Sequence, residues 1–349
     1  MSNMTTLLAA NSTTTSFGGV KTLVDGYDIP VYGIKEGTFY NIHVPALICI
    51  CLSFICALTI IGYSFYHQHF STFFQWTKSE RFVVYMALCD ALFNAAHFTD
   101  HMHIAVTKTL PRPKSLCAFY GFMLAEFITA QNLMVNIVAI NVFILVFYRK
   151  HLNFGKCDYR LLVYIFGAPA LGGLIAGSLG QLGPNGSFCY FDGIKGKWTG
   201  VFFTTVPLLM VVVINTILYI LSWLRIYKEA KEIKDSLGKS SRVLRASHKA
   251  AKTMSLFVAA FFVQWWAMAL YGIWQLVADV PFLLFNFVTT FSNVGGILNG
   301  IVFIIIMRRK REKVESSTKA SDDKVGSGHT ASTPIHSTVH SNSHFANVV

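Results

Sequence analysis

The stretch VPALICICLSFICALTIIGYSFY, residues 44–66, carries no charged side chain from end to end. A helix rises about 1.5 Å per residue, so about 20 apolar residues cross the hydrocarbon core of a bilayer. The stretch therefore reads as a membrane-spanning helix. Six more runs of that kind follow, at 82–106, 117–147, 161–182, 199–224, 253–277 and 282–306. Five of the seven hold no charge; span two contains Asp90 and Asp100, and span three contains Glu126. The expected fold class is an all-α membrane protein, a seven-transmembrane helical bundle. Composition agrees, since only 13% of the 349 residues are charged and 53% are hydrophobic, where soluble domains carry about 25% charge.

The net charge of +12 does not point to nucleic acid, because the basic residues sit in short segments between apolar runs, where they set topology. Segments 67–81, 148–160, 225–252 and 307–313 hold twenty Lys and Arg, and the N-terminal segment with the other three loops holds seven. The positive-inside rule then places the N-terminus outside and the C-terminus in the cytoplasm. With no signal peptide visible, the first run is expected to act as an uncleaved signal-anchor. Three N-x-S/T sequons, at Asn3, Asn11 and Asn185, all fall on the outer side and are candidate glycosylation sites. Cys117 opens span three and Cys189 precedes span five, both on the oxidising side, so a disulfide between them is expected rather than two free thiols. Cys157 is cytoplasmic and should stay reduced. No internal repeat relates the two halves, which weakens a carrier reading.

Seven spans with this topology and cysteine pair resemble a G-protein-coupled receptor over roughly residues 40–312. Within that superfamily the sequence is most similar to the cyclic-AMP-receptor-like group of slime moulds and their orphan animal relatives. Span two reads ERFVVYMALCDALFNAAHF around Asp90, span three runs from Cys117 through AINVFILVF, and span seven reads FSNVGGILNGIVF. The rhodopsin-like D/E-R-Y triplet is replaced by Asn141, Val142 and Phe143, and N-P-x-x-Y by Asn299, Gly300, Ile301, Val302 and Phe303. Span six has Gln264, Trp265 and Trp266 with no proline after them. Span seven has no lysine, which excludes a retinal Schiff base and hence an opsin. The resemblance implies a receptor that catalyses nothing, needs no cofactor and signals through a heterotrimeric G protein from the plasma membrane. A channel or carrier with a polar site on span two is the alternative.

Asp90 is a mid-membrane carboxylate, a functional candidate by default. On the family pattern it faces Gln131 and Asn299, a polar activation cluster that in related receptors holds a sodium ion or water; the plain alternative is a packing plug. Asp90, Asn94, His97 and His101 recur at helical steps and form one stripe, with Asp100 beside it. His97, Asp100 and His101 are open to four readings: a ligand pocket, a metal site, a pH sensor or a hydrated helix end. Tyr120 and Leu124 of span three, and Trp265, Trp266, Tyr271 and Gln275 of span six, are further pocket candidates. Pro169 and Pro207 are expected to kink spans four and five. Glu126 has no evident role.

On the inner side, Ile226, Ala230, Ile233 and Leu237 share one face of a basic amphipathic extension of span five. By resemblance, Asn141, Arg149, Lys150, Ile226, Lys231, Lys234 and Lys249 are candidate G-protein contacts; a basic face resting on anionic lipid is the alternative. The expected organisation is a glycosylated, largely disordered segment over 1–41, the bundle over 42–306, a basic juxtamembrane helix over 307–315 that meets anionic headgroups, and a disordered Ser/Thr-rich tail over 316–349. That tail would be open to a receptor kinase and an arrestin-like protein.

Overall fold

A computed structural model describes residues 22–150, 152–235, 242–278 and 280–326. Among them, seven helices are long and apolar enough to cross a membrane: α1 Phe39–His67, α2 Lys78–Thr107, α3 Lys114–Tyr148, α4 Lys156–Ser178, α5 Lys197–Glu229, α6 Ser255–Val277 and α7 Phe282–Arg309. Helical structure runs past three of those limits, with α5 reaching Asp235, α6 starting at Arg242 and α7 reaching Gly326. The bundle has an inside and an outside. In the most apolar stretch of α2 and α3, 72% and 67% of positions are buried against protein, compared with 28% for α1. The two helices that carry acidic residues are thus the central ones.

Local chemistry sets the ends and bends. Thr77 and Glu80 form a capping box that opens α2, satisfying N–H groups that a helix start leaves bare. Within α4 and α5 the chain widens into single π-turns at Val163–Gly167 and Val201–Thr205. Pro169 and Pro207 follow directly, and the carbonyls four residues before them lie inside those turns. A proline lacks the N–H for that carbonyl and its ring collides with it, so the wider turn moves the carbonyl aside. The seventh span breaks into a 3-10 turn at Ser292–Val294. Its loosened carbonyls are taken by neighbours: Gln264 Nε2 of α6 donates to Ser292 O at 3.1 Å, and Ser53 Oγ of α1 donates to Asn293 O. Gly295 and Gly296 come next because a Cβ there would strike Gln264 and the backbone of Ser53.

Two parts of the expected organisation differ. Residues 22–38 are not a disordered leader. They fold across the outer end of the bundle, beginning with a capped 3-10 turn at Gly26–Asp28. Residues 316–326 continue α7 as helix instead of forming tail, as Lys, Glu, Ala and Asp with no Gly or Pro before Gly326 allow. Residues 1–21 and 327–349, with Asn3 and Asn11, lie outside the described residues. The loop before α5, unassigned from sequence, pairs β1 Leu182–Pro184 with β2 Cys189–Phe191 as an antiparallel hairpin, which takes over the expected end of span four.

Candidate functional site: a polar spine under a covered outer cavity

Cys117 and Cys189 are joined, with Cα atoms 5.2 Å apart. The bridge pins the hairpin to the outer end of α3. Asp100 of α2 holds the same point from the other side, its Oδ2 accepting from Cys189 N at 2.7 Å. Above this lies segment 22–38. Gly26 N donates to both oxygens of Asp192, at 3.0 and 2.9 Å, Tyr32 N donates to Gly186 O at 2.9 Å, and Tyr27 Oη donates to Pro111 O at 2.7 Å. Tyr32 also stacks on Phe285, with ring centres 4.8 Å apart. Lys114 pairs with Asp25 at 2.5 Å, and that hydrogen bond holds the Asp25 carboxyl below its ordinary pKa. Burial pushes the Tyr27 phenol up to about 12.

Between hairpin, α5, α6 and α7 lies a cavity of about 230 Å³, lined by Tyr190, Thr204, Thr205, Tyr271 and Gln275 and by Ile29 of the N-terminal segment. Two of the pocket candidates, Tyr271 and Gln275, line it. His97, His101 and Leu124 do not; they are 2% exposed or less and packed in the bundle. Tyr120 is half-buried away from it. The two tryptophans separate: Trp265 is 1% exposed and faces inward, whereas Trp266 is 41% exposed and packs on Phe287 and Phe291.

Below the cavity, polar side chains link four helices. Asp90 Oδ1 accepts from Gln131 Nε2 at 2.9 Å and Oδ2 from Asn299 Nδ2 at 2.7 Å. Gln131 Oε1 in turn accepts from Gln264 Nε2 at 3.2 Å, so α2, α3, α6 and α7 meet through one network. Both carboxylate oxygens are taken by amides, and the residues do not present the set of free oxygens that a hard cation needs.

The stripe of α2 joins a second network, one that the sequence did not suggest. His43 Nδ1 lies 2.9 Å from His101 Nδ1, His101 Nε2 lies 2.9 Å from His97 Nε2, and His97 Nδ1 lies 2.8 Å from Asn293 Oδ1. The amide fixes the proton order. Asn293 Nδ2 donates to Thr289 O, so its oxygen faces His97, and His97 Nδ1 must carry the hydrogen. A neutral imidazole has one N–H. His97 Nε2 therefore accepts from His101, and His101 Nδ1 accepts from His43. The chain ends on His43 Nε2, a buried lone pair with no described partner. A hydrated helix end does not describe His101, which is fully buried, and the Nε2 atoms of His97 and His101 are bonded to each other rather than turned toward a shared metal. The described residues hold no group of three or more potential metal ligands.

At the inner end, Arg149 is the C-cap of α3 and donates to Glu229 of α5, which also accepts from Arg225 at 2.8 Å. Arg81 of α2 grips Asp158 of α4 through two bonds of 2.6 and 3.1 Å, with Tyr85 Oη adding a third at 3.0 Å. Of the candidate partner contacts, Lys150 is exposed, Ile226 is half-buried and Asn141 is 5% exposed. The side chains of Lys231, Lys234 and Lys249 lie outside those described. Asn185 sits in the hairpin turn, its Oδ1 accepting from Ser187 N and Phe188 N at 3.0 and 3.1 Å.

Among solved structures, the crystal structure of squid rhodopsin superposes with a TM-score of 0.61, at 14% identity over 82% of this chain and 87% of that one. The fold is rhodopsin-like. No protein-family model and no curated protein sequence matches the chain. A rhodopsin-like fold and seven spanning helices make the chain a multi-pass membrane protein. At that identity the likeness speaks for the fold alone.

Proposed function

We propose that this chain is a receptor of the plasma membrane that carries an extracellular stimulus to a heterotrimeric G protein and catalyses no reaction. The observation that carries the reading is the continuity of the polar network Asn299–Asp90–Gln131–Gln264 through α7, α2, α3 and α6. Buried polar networks are costly unless complete. One that ties four helices through side-chain amides has discrete alternative pairings, as a two-state bundle requires. The outer cavity gives a stimulus a place to act, and Tyr271 and Gln275 on α6 lie on its wall.

The cyclic-AMP-receptor-like likeness of spans two, three and seven belongs to the same proposal, as do the outward N-terminus, glycosylation at Asn3, Asn11 and Asn185, and a tail read by a receptor kinase and an arrestin-like protein. Lys150, Arg149, Ile226 and the basic residues Lys231, Lys234 and Lys249 form the proposed G-protein face. The ligand is an extracellular molecule small enough for a cavity of about 230 Å³. The test is to express the full chain and record G-protein dissociation, basal and with pooled extracellular ligands, alongside membrane currents and solute flux. Dissociation from one G-protein class supports the proposal. Currents or flux with no G-protein response sink it in favour of a channel or carrier.

A further inference from the structure

A cleft far from the outer cavity lies between α1 and α7 at their inner ends. It has a volume of about 790 Å³, within the range of small-molecule and cofactor sites. The two helices touch closely where Gly296 meets the backbone of Ser53. One turn further in, a Cβ on Gly300 would meet Cys56 only at ordinary contact distance, 3.5 Å. Beyond that the helices leave a gap, because α7 runs on as helix past Arg308 with no turn toward α1.

The walls of the gap sort by depth. Cys56, Ile60, Gly300 and Ile304 give it an apolar floor, and Tyr63 closes one side, its ring edge-on to Phe303 at 5.6 Å. Arg308 and Arg311 stand at the mouth. They lie three residues apart, on the helix face that Ile304 and Ile301 carry deeper in. No ion pair joins either arginine to a described carboxylate.

We propose that this cleft is a binding site for one anionic phospholipid, with an acyl chain against Ile60, Gly300 and Ile304 and its phosphate headgroup between Arg308 and Arg311. An apolar slot with two guanidinium groups at its membrane-surface end matches a lipid in both halves, and guanidinium pairs phosphate through parallel N–H bonds. The net negative charge matters because the ammonium of a zwitterionic headgroup such as phosphatidylcholine cancels its phosphate, whereas an anionic headgroup keeps surplus negative charge to pair with the two guanidinium groups. This goes beyond general attraction of a basic segment to the membrane: it places one lipid at one position. The leaflet rests on the orientation proposed above; the lipid class does not.

The full chain is reconstituted in bilayers of phosphatidylcholine mixed with phosphatidylserine or a phosphatidylinositol phosphate, then released for native mass spectrometry. The expected result is one retained anionic lipid, favoured over phosphatidylcholine on the order of thirtyfold, the scale two basic residues supply at a membrane surface. Arg308→Gln with Arg311→Gln removes the preference. Gly300→Phe, which fills the slot and keeps both arginines, removes retention; if it does not fold, Ile304→Trp takes its place. Lys156→Gln with Arg160→Gln, an equal charge change on another inner segment, leaves retention intact. Three results overturn the site: equal retention of phosphatidylcholine, equal loss in the Lys156 and Arg160 control, or unchanged retention in a folded slot-filling variant. None of these readouts involves a G protein, so the site and the receptor reading fail separately.

Discussion

Asp90 shows what one residue can decide. Its two oxygens take one amide each, from different helices. Asp90→Asn keeps the shape but turns one acceptor into a donor, so one bond is replaced by two facing N–H groups. A buried polar group left unpaired costs about 1–3 kcal/mol, a loss that a folded bundle survives. The expected outcome is normal surface expression with altered basal or evoked signalling. Lost expression with no signalling change in the remaining protein would mark Asp90 as a packing plug. The histidine chain makes a second prediction. His101 bonds on both sides and His43 on one, so His101→Phe should lower the melting temperature of the purified protein clearly more than His43→Phe. Equal losses would mean that the chain is not linear as described. The stripe itself was legible, since Asp90, Asn94, His97 and His101 follow helical spacing within one span. Its partners were not. His43 and Asn293 are 58 and 196 residues from theirs, and nothing local in a sequence encodes such a meeting. The same holds for Arg81 and Asp158, each of which looks like an ordinary loop charge until folding brings them together.

At the scale of elements, the seven spans were readable because apolar length is a property of one continuous segment. The hairpin was not, because three-residue strands are too short to show alternation. The order in residues 22–38 was missed for a related reason: so short a segment has no core of its own and is held by partners elsewhere, through acceptors and through Tyr27 and Val31 packed against Phe39, Ile104 and Leu110. Asp192 is the chief acceptor, taking N–H groups from Gly26, Ile194 and Lys195. Asp192→Ala should therefore speed amide hydrogen exchange in 22–38 while leaving α2 and α3 protected; unchanged exchange would remove Asp192 from that role. Asp25 gives the pH dependence of this attachment. Its folded pKa is depressed, so its contribution is complete above the unfolded value of about 3.9 and is lost as pH falls through the lower folded value. A fluorescent probe at Val24 should report a docked segment from neutral pH down to about pH 4. Lys114→Met, by removing the cation that depresses Asp25, should move the onset of release to higher pH.

On the scale of the whole molecule, the inner end lacks the arginine of the D/E-R-Y triplet, yet α3 and α5 are still tied by charge. Arg149 stands eight positions beyond Asn141 and pairs with Glu229, which Arg225 also holds. A partly exposed pair of this kind adds about 1 kcal/mol or less to stability, so its role is better sought in signalling. Glu229→Gln is expected to raise basal G-protein dissociation several-fold at equal surface expression, with little change in melting temperature. Unchanged basal activity would leave the pair as a surface contact only. The rhodopsin-like architecture was legible as seven spans; the location of this tie was not, because it depends on how far α5 projects beyond the membrane.

The segment over 22–38 bears on time as well as shape. Ile29 lines the cavity and Tyr32 is stacked on α7, so an occupant that leaves past Ile29 must wait for that segment to lift. Arrival and departure are then slowed together, which leaves affinity nearly unchanged while lengthening occupancy. Loosening the segment through Asp192→Ala should accordingly shorten ligand residence far more than it shifts the dissociation constant, and a signal from this protein should outlast the pulse that started it.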